Sequence, residues 1–177
     1  LAPGQTRGLG STGDLAKVTA THSMQSGTEF GRYTILRFLG AGGMGQVYKA
    51  YDSFLDRPVA LKFLKGAEPD QVQRFFREAR AQARLSHENI CKVFEAGEIE
   101  GRPYIAIEYI KGEELGDLAP RMRLEQRIKV LRLVCDAIHS AHREGMIHRD
   151  IKPGNVMVET TREGDFKPYV MDFGLVR

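Results

Sequence analysis

No run of apolar residues in this sequence comes near the roughly 18 that a membrane-spanning helix needs, so no span is expected within it. A basic stretch followed by an apolar one is also missing from the first residues, which removes a secretory signal from the expectations. Any membrane anchor would have to lie outside this chain. Cysteine is scarce: Cys91 and Cys135 are far apart, in no metal-ligand spacing, and each sits among apolar neighbours. They are expected as reduced core thiols of a cytoplasmic protein, not as a disulfide or a metal site. An excess of one charge sign is scarce as well. Lys and Arg number 26 and Asp and Glu 23, a formal +3 that is too small and too dispersed to point to nucleic acid. The remaining balance, 42% hydrophobic and 28% charged over 177 residues, is that of a globular protein of one domain or slightly more.

The first 28 or so residues are rich in Gly, Ser and Thr and carry too little apolar surface to offset ordering, so residues 1–31 are expected as a flexible tail. The chain opens on Leu1, and Met24 is a candidate translation start. From Arg32 the pattern changes. Tyr33–Leu39 and Gln46–Ala50 are β-branched and aromatic around a glycine-rich turn, which predicts a hairpin, and Pro58–Leu64 predicts a third strand. Between Asp70 and Leu85, Val72, Phe75, Phe76, Ala79 and Ala83 recur at helical spacing. Strands are predicted again around Ile90–Phe94 and Tyr104–Tyr109. A long helix is predicted over Arg127–Arg143, with Ile128, Leu131, Val134, Cys135 and Ile138 on one face and Val130, Leu133, Ala137 and Ala141 on much of another. A helix apolar on more than one face is expected to be buried on more than one side. Short strands near Val156–Val158 and Tyr169–Met171 bracket a turn at 161–165. The sum is an α+β chain without internal repeats.

Gly40, Gly42 and Gly45 stand in G-x-G-x-x-G spacing, which lets backbone approach phosphate oxygens. Dinucleotide-binding folds share that spacing but follow it with a helix, whereas Val47–Lys49 has strand character. Gln46 and Val47 stand where a Walker loop needs Lys and Ser or Thr. An ordinary tight hairpin remains open for this segment alone. Lys62 at a strand end reads equally as a solvated charge, and Glu78 as the partner of Arg74 one helical turn earlier. The run His148-Arg149-Asp150-Ile151-Lys152-Pro153-Gly154-Asn155 is more specific. Asp150 offers a base, Asn155 and the later Asp172 of Asp172-Phe173-Gly174 offer the hard oxygens that Mg²⁺ prefers, and Lys152 lies between.

Taken in order, these motifs resemble the serine/threonine protein kinases, most closely the bacterial members, from Arg32 to Arg177. Lys152 two positions after Asp150 resembles the serine/threonine branch. The resemblance implies a two-lobed fold: an antiparallel N-lobe with one helix over about 32–107, a hinge over 108–112, and a partial helical C-lobe over 113–177. It implies ATP and Mg²⁺, and protein substrates bearing Ser or Thr. Gly40, Gly42 and Gly45 would cover the phosphates, and Lys62 would hold the α- and β-phosphates, oriented by an ion pair with Glu78. Asp150 would accept the hydroxyl proton, Lys152 would neutralise the moving phosphoryl group, and Asn155 and Asp172 would bind the metal. Glu108, Tyr109 and Ile110 would offer backbone bonds to adenine, Leu39, Val47, Ala60, Ile107 and Met157 its walls, and Glu114 a ribose contact.

Two departures stand out. Gln82 occupies a position usually apolar in these kinases, next to the expected place of Phe173. The resemblance also implies an activation segment and further helices past Arg177, so the chain by itself is expected not to be a competent kinase. A nucleotide-binding pseudokinase or regulatory module, and an inert truncated product, are the other readings. Lys62, Asp150, Asn155 and Asp172 together argue against the pseudokinase.

Overall fold

The computed structural model describes residues 24–42, 45–66 and 68–173. The expectations for residues 1–23, Gly43, Met44 and Gly174–Arg177 lie outside the described residues. The tail expected through residue 31 ends earlier than that. Met24 donates its backbone N–H to the Tyr48 hydroxyl at 3.1 Å, and β1 (Glu29–Phe30) pairs with β2 (Tyr33–Gly42). Phe30 is core, packed edge-on against Phe63 and Tyr104. One aromatic ring with a place to go suffices to order a short polar segment.

β3 (Gly45–Asp52), β4 (Arg57–Leu64), β5 (Val93–Ile99) and β6 (Arg102–Glu108) complete an antiparallel sheet in the order β1-β2-β3-β4-β6-β5. The period-2 rule sorts β4 onto two faces. Val59, Leu61 and Phe63 join a core with Tyr33, Ile35, Tyr48 and Tyr104, while Ala60 faces a second core with Ile105, Ile107 and Cys91. That second core is closed by Phe75 and Ala79 of α1 (Pro69–Gln82). The expected strand over Ile90–Phe94 begins instead at Val93. Ile90 and Cys91 are diverted to the other lobe, where Cys91 N–H donates to Val170 O at 3.0 Å.

The second part opens with β7 (Glu113–Glu114) and the short α2 (Leu115–Leu118) and continues into α3 (Leu124–Arg143). α3 starts three residues before the expected Arg127, because the Gln126 side chain turns back to accept from Arg123 N–H at 2.8 Å and closes the first turn. Burial cuts across the two expected faces, since Val134 and, in part, Ile138 of the first are covered along with the second. Val130, Val134, Ala137 and Ala141 pack on Val156, Val158 and Val170, whereas Ile128 and Leu131 are exposed. Cys135 is exposed with them, contrary to the expected core thiol, and Cys91 is buried as expected. β8 (Val156–Thr160) and β9 (Phe166–Val170) form the predicted hairpin around 161–165, with β7 on its edge.

Candidate active site

The glycine-rich turn joins β2 to β3, with Gly42 opposite Gly45 and Gly40 opposite Val47. Gly45 has φ +147°, and a Cβ there would lie 1.7 Å from the Phe63 carbonyl oxygen, so only glycine fits. Gly40 and Gly42 face open space. Sheet register then lines up the expected wall: Val47 stands opposite Lys62, Ala60 opposite Ile107, and Val59 opposite Glu108. Leu39, near the end of β2, is partly exposed. Glu108 ends β6, donating its N–H to Lys92 O at 2.9 Å, and Tyr109 and Ile110 follow it into the second lobe. Tyr109 is held from the sheet by Lys49, 4.3 Å above its ring, and by Arg37, which donates to its hydroxyl at 3.2 Å. Across the connection Glu114 stands in register with Met157.

The loop after α3 builds a second cluster. His148 is buried, and its Nε2 bonds the Met171 carbonyl at 2.7 Å while its Nδ1 accepts from Asp150 N–H at 3.3 Å. Those partners select the tautomer with the proton on Nε2. Asp150 Oδ2 accepts from Lys152 Nζ at 2.8 Å and from Asn155 Nδ2 at 2.9 Å. The Lys152 bond first and the Asn155 bond second hold the Asp150 carboxyl below the usual aspartate value. Asn155 Nδ2 also reaches the Asp150 carbonyl at 2.7 Å, so both its contacts use the amide NH₂ and leave Oδ1 without a protein partner in the cluster. The Asn155 carbonyl accepts from Met171 N–H at 2.9 Å, just past the end of the hairpin, and Asp172 follows as the second residue beyond β9. Asp172 has φ +55° and Arg149 φ +67°, left-handed conformations concentrated at this site.

Lys62 is nearly buried, and its ammonium pairs with Asp172 Oδ1 at 2.7 Å. The expected Lys62–Glu78 ion pair is not formed among the described residues. Glu78 instead lines a cavity shared with Arg77, Arg84, Met146, Arg149 and Phe173. Burial pushes its carboxyl up, against the opposing pull of Arg74, Arg77, Arg149 and Lys62. Gln82 is buried, as its apolar position implies, yet its amide is satisfied by the Cys91 carbonyl at 3.0 Å. Phe173 is buried against the His148 ring, centroids 4.7 Å apart.

Three features of this site were not assigned from sequence. His148 was legible only as a motif letter. Asn89, which donates to Pro168 O at 2.8 Å and accepts from Val170 N–H, reads in sequence as one polar loop residue. The Arg37 and Lys49 grip on Tyr109 spans three separate elements, and no local pattern announces it.

The family described as Protein kinase domain matches residues 33–177. The chain is 44% identical to the serine/threonine-protein kinase PksC of Streptomyces coelicolor over 157 residues, 81% of this chain and 28% of that protein. It is 40% identical to the serine/threonine-protein kinase PknJ of Mycobacterium tuberculosis over 161 residues, 88% of this chain and 27% of that protein. It therefore spans less than a third of either relative. Among solved structures, the PknI kinase domain of Mycobacterium tuberculosis superposes with a TM-score of 0.73 at 32% identity, covering 88% of this chain and 64% of that one.

Proposed function

Because the chain belongs to the protein kinase domain family, with the two-lobed α+β fold of its solved relatives, we propose that it transfers the γ-phosphoryl group of ATP to Ser or Thr hydroxyls of protein substrates. The observation that carries this reading is the Asp150–Lys152–Asn155 cluster. A carboxylate held ionised by an ammonium and an amide suits orienting a hydroxyl and taking its proton, and the same ammonium would supply the counter-charge that a moving phosphoryl group needs. Lys62 holds the α- and β-phosphates under the turn bearing Gly40, Gly42 and Gly45. Leu39, Val47, Ala60, Ile107 and Met157 flank the base, whose hydrogen bonds come from the backbone at Glu108 and Ile110, and Glu114 reaches the ribose.

Mg²⁺ fits the donor set. Among the described residues Asn155 Oδ1 has no hydrogen-bond partner, Asp172 has an oxygen beyond its bond to Lys62, and these are hard ligands. When bound, Mg²⁺ would neutralise phosphate charge.

The test is a comparison in the intact protein. Asp150→Asn is expected to lower kcat by about 10²–10⁴, the usual contribution of a positioned base, with ATP affinity nearly unchanged. Asp172→Asn is expected to weaken Mg²⁺-dependent nucleotide binding. Phosphate found chiefly on Tyr would overturn the substrate class. A nucleotide-binding regulatory module is the second reading, favoured by the Lys62–Asp172 pair with Glu78 apart. It requires an ATP-dependent rise in Tm without any transfer.

A further inference from the structure

Arg37 on β2 and Lys49 on β3 stand directly opposite each other in the sheet register. Like charges so placed destabilise an antiparallel pair. Among the described residues neither reaches a carboxylate within ion-pair distance. Their shared partner is aromatic. Arg37 Nη2 donates to the Tyr109 hydroxyl at 3.2 Å, and Lys49 Nζ lies 4.3 Å from the centre of the same ring. The negative face of the ring and its hydroxyl oxygen serve both cations at once. A local rule broken at one pair, with the remedy supplied by another element, marks a place where something besides stability is served.

Residues directly opposite each other share a face of a sheet. Lys49 is opposite Ala60, Ala60 is opposite Ile107, and Val47, two residues before Lys49, is opposite Lys62. Arg37 and Lys49 therefore border the face that carries the proposed wall of the base and the proposed phosphate lysine. Phe38, next along β2, turns the other way and packs edge-on against Tyr48, centroids 5.4 Å apart. The β2–β3 register shifts on both sides of the pair, between Ile35 and Arg37 and between Phe38 and Gly40, and such bulges re-aim side chains. Tyr109 lies between Glu108 and Ile110, whose backbone is proposed to bond the base. We propose that Arg37 and Lys49 are positioning residues for the nucleotide. By clasping Tyr109 they hold the strands bearing Leu39 and Val47 at a fixed distance from the backbone of Glu108 and Ile110. A slot whose width is set before the ligand arrives loses less affinity to ordering. This proposal rests on the kinase reading above.

The experiment uses the intact protein with Arg37→Met and Lys49→Met, which keep an unbranched stem and lose the charge, and Lys49→Arg, which keeps a cation over the ring. Calorimetric titration reads Kd for adenosine and for ATP with Mg²⁺. Each methionine variant is expected to weaken both ligands by about threefold, the size of one exposed cation–π contact or hydrogen bond, and the double variant by about tenfold. Lys49→Arg is expected to stay within about twofold of wild type, because a guanidinium also stacks on an aromatic face. In steady state the KM for ATP is expected to follow the same rise, with kcat changed by less than about twofold. Without nucleotide, amide hydrogen exchange is expected to quicken in β2 and β3 of the double variant while β4 and β6 keep wild-type protection. Loss of ATP affinity with adenosine affinity unchanged would overturn the proposal, since the two cations would then be acting on the phosphates. So would unchanged affinity in the double variant, or faster exchange through β4 and β6 as well, which marks general loss of stability. A wild-type protein that transfers no phosphate sinks the kinase reading alone, and adenosine binding and exchange still decide the clasp.

Discussion

Glu78 sits half-buried with no ion pair among the described residues, while guanidinium groups of Arg74, Arg77 and Arg149 and the ammonium of Lys62 only partly offset its desolvation. Its folded-state pKa is therefore raised. A raised carboxyl pKa favours the neutral form in the folded protein, so ionised Glu78 destabilises the fold above its folded pKa, and the penalty vanishes below the unfolded value of about 4.3. Glu78→Gln is accordingly expected to raise Tm at pH 7–8 by a degree or more, with the gain disappearing near pH 4, while phosphotransfer falls sharply. Thermal unfolding of both proteins across that pH range checks the sign. A lower Tm for Glu78→Gln at pH 8 would show that the carboxylate has a stabilising partner. Asp150 is shifted the other way, held ionised by Lys152 and Asn155. The two carboxylates are thus set apart by what surrounds them.

The glycine-rich turn divides the work among its glycines. Gly45 is a structural necessity, since its backbone is left-handed and a Cβ would collide with the Phe63 carbonyl of the neighbouring strand. Gly40 and Gly42 have open space where a side chain would stand, so nothing in the fold itself demands glycine there. Gly40→Ala is expected to change stability by less than about 1 kcal/mol, the size of ordinary surface substitutions or a glycine entropy term, yet to weaken ATP binding. Gly45→Ala is expected to cost several times more stability, as strain at a left-handed position plus a backbone clash. Denaturant titrations and nucleotide titrations on the two variants separate the effects. Equal losses of stability would contradict this division. The same logic explains Gly112, whose Cβ would lie 2.2 Å from the Val158 carbonyl, where the segment after β6 crosses β8.

At the scale of the molecule, α3 presents Leu124, Ile128 and Leu131 to solvent at spacings of four and three, one continuous stripe, with Cys135 a turn further. Each such side chain gains about 1.5–3 kcal/mol when fully buried, so an exposed stripe of three favours association. Residues 24–177 produced alone are expected to self-associate, and Ile128→Lys with Leu131→Glu to reduce that association. Sedimentation velocity over a concentration series reads both. A wild-type piece that stays monomeric at tens of micromolar would contradict the expectation.

The strands at Tyr33–Leu39, Gln46–Ala50 and Pro58–Leu64, the helix carrying Glu78, the 161–165 hairpin and the order of the glycine, Asp150 and Asp172 motifs were all readable along the chain. Each is a local pattern: alternation, helical spacing or turn chemistry within a few residues. The α+β class followed from them, and the protein kinase family from their order. What only the tertiary structure decided depends on residues far apart in sequence. Phe30 orders the segment before Arg32 because Phe63 and Tyr104 receive its ring. Cys91 is buried and Cys135 exposed, although both have apolar neighbours, because β9 draws the first inward and nothing described covers the second. Lys62 was expected to pair with Glu78, and it pairs with Asp172, 110 positions along the chain. Gln82 is buried at a position expected to be apolar because the Cys91 carbonyl, nine residues on, accepts from its amide. Local periodicity names the faces of an element; which face is covered, and which charge finds which partner, is settled only when the elements pack.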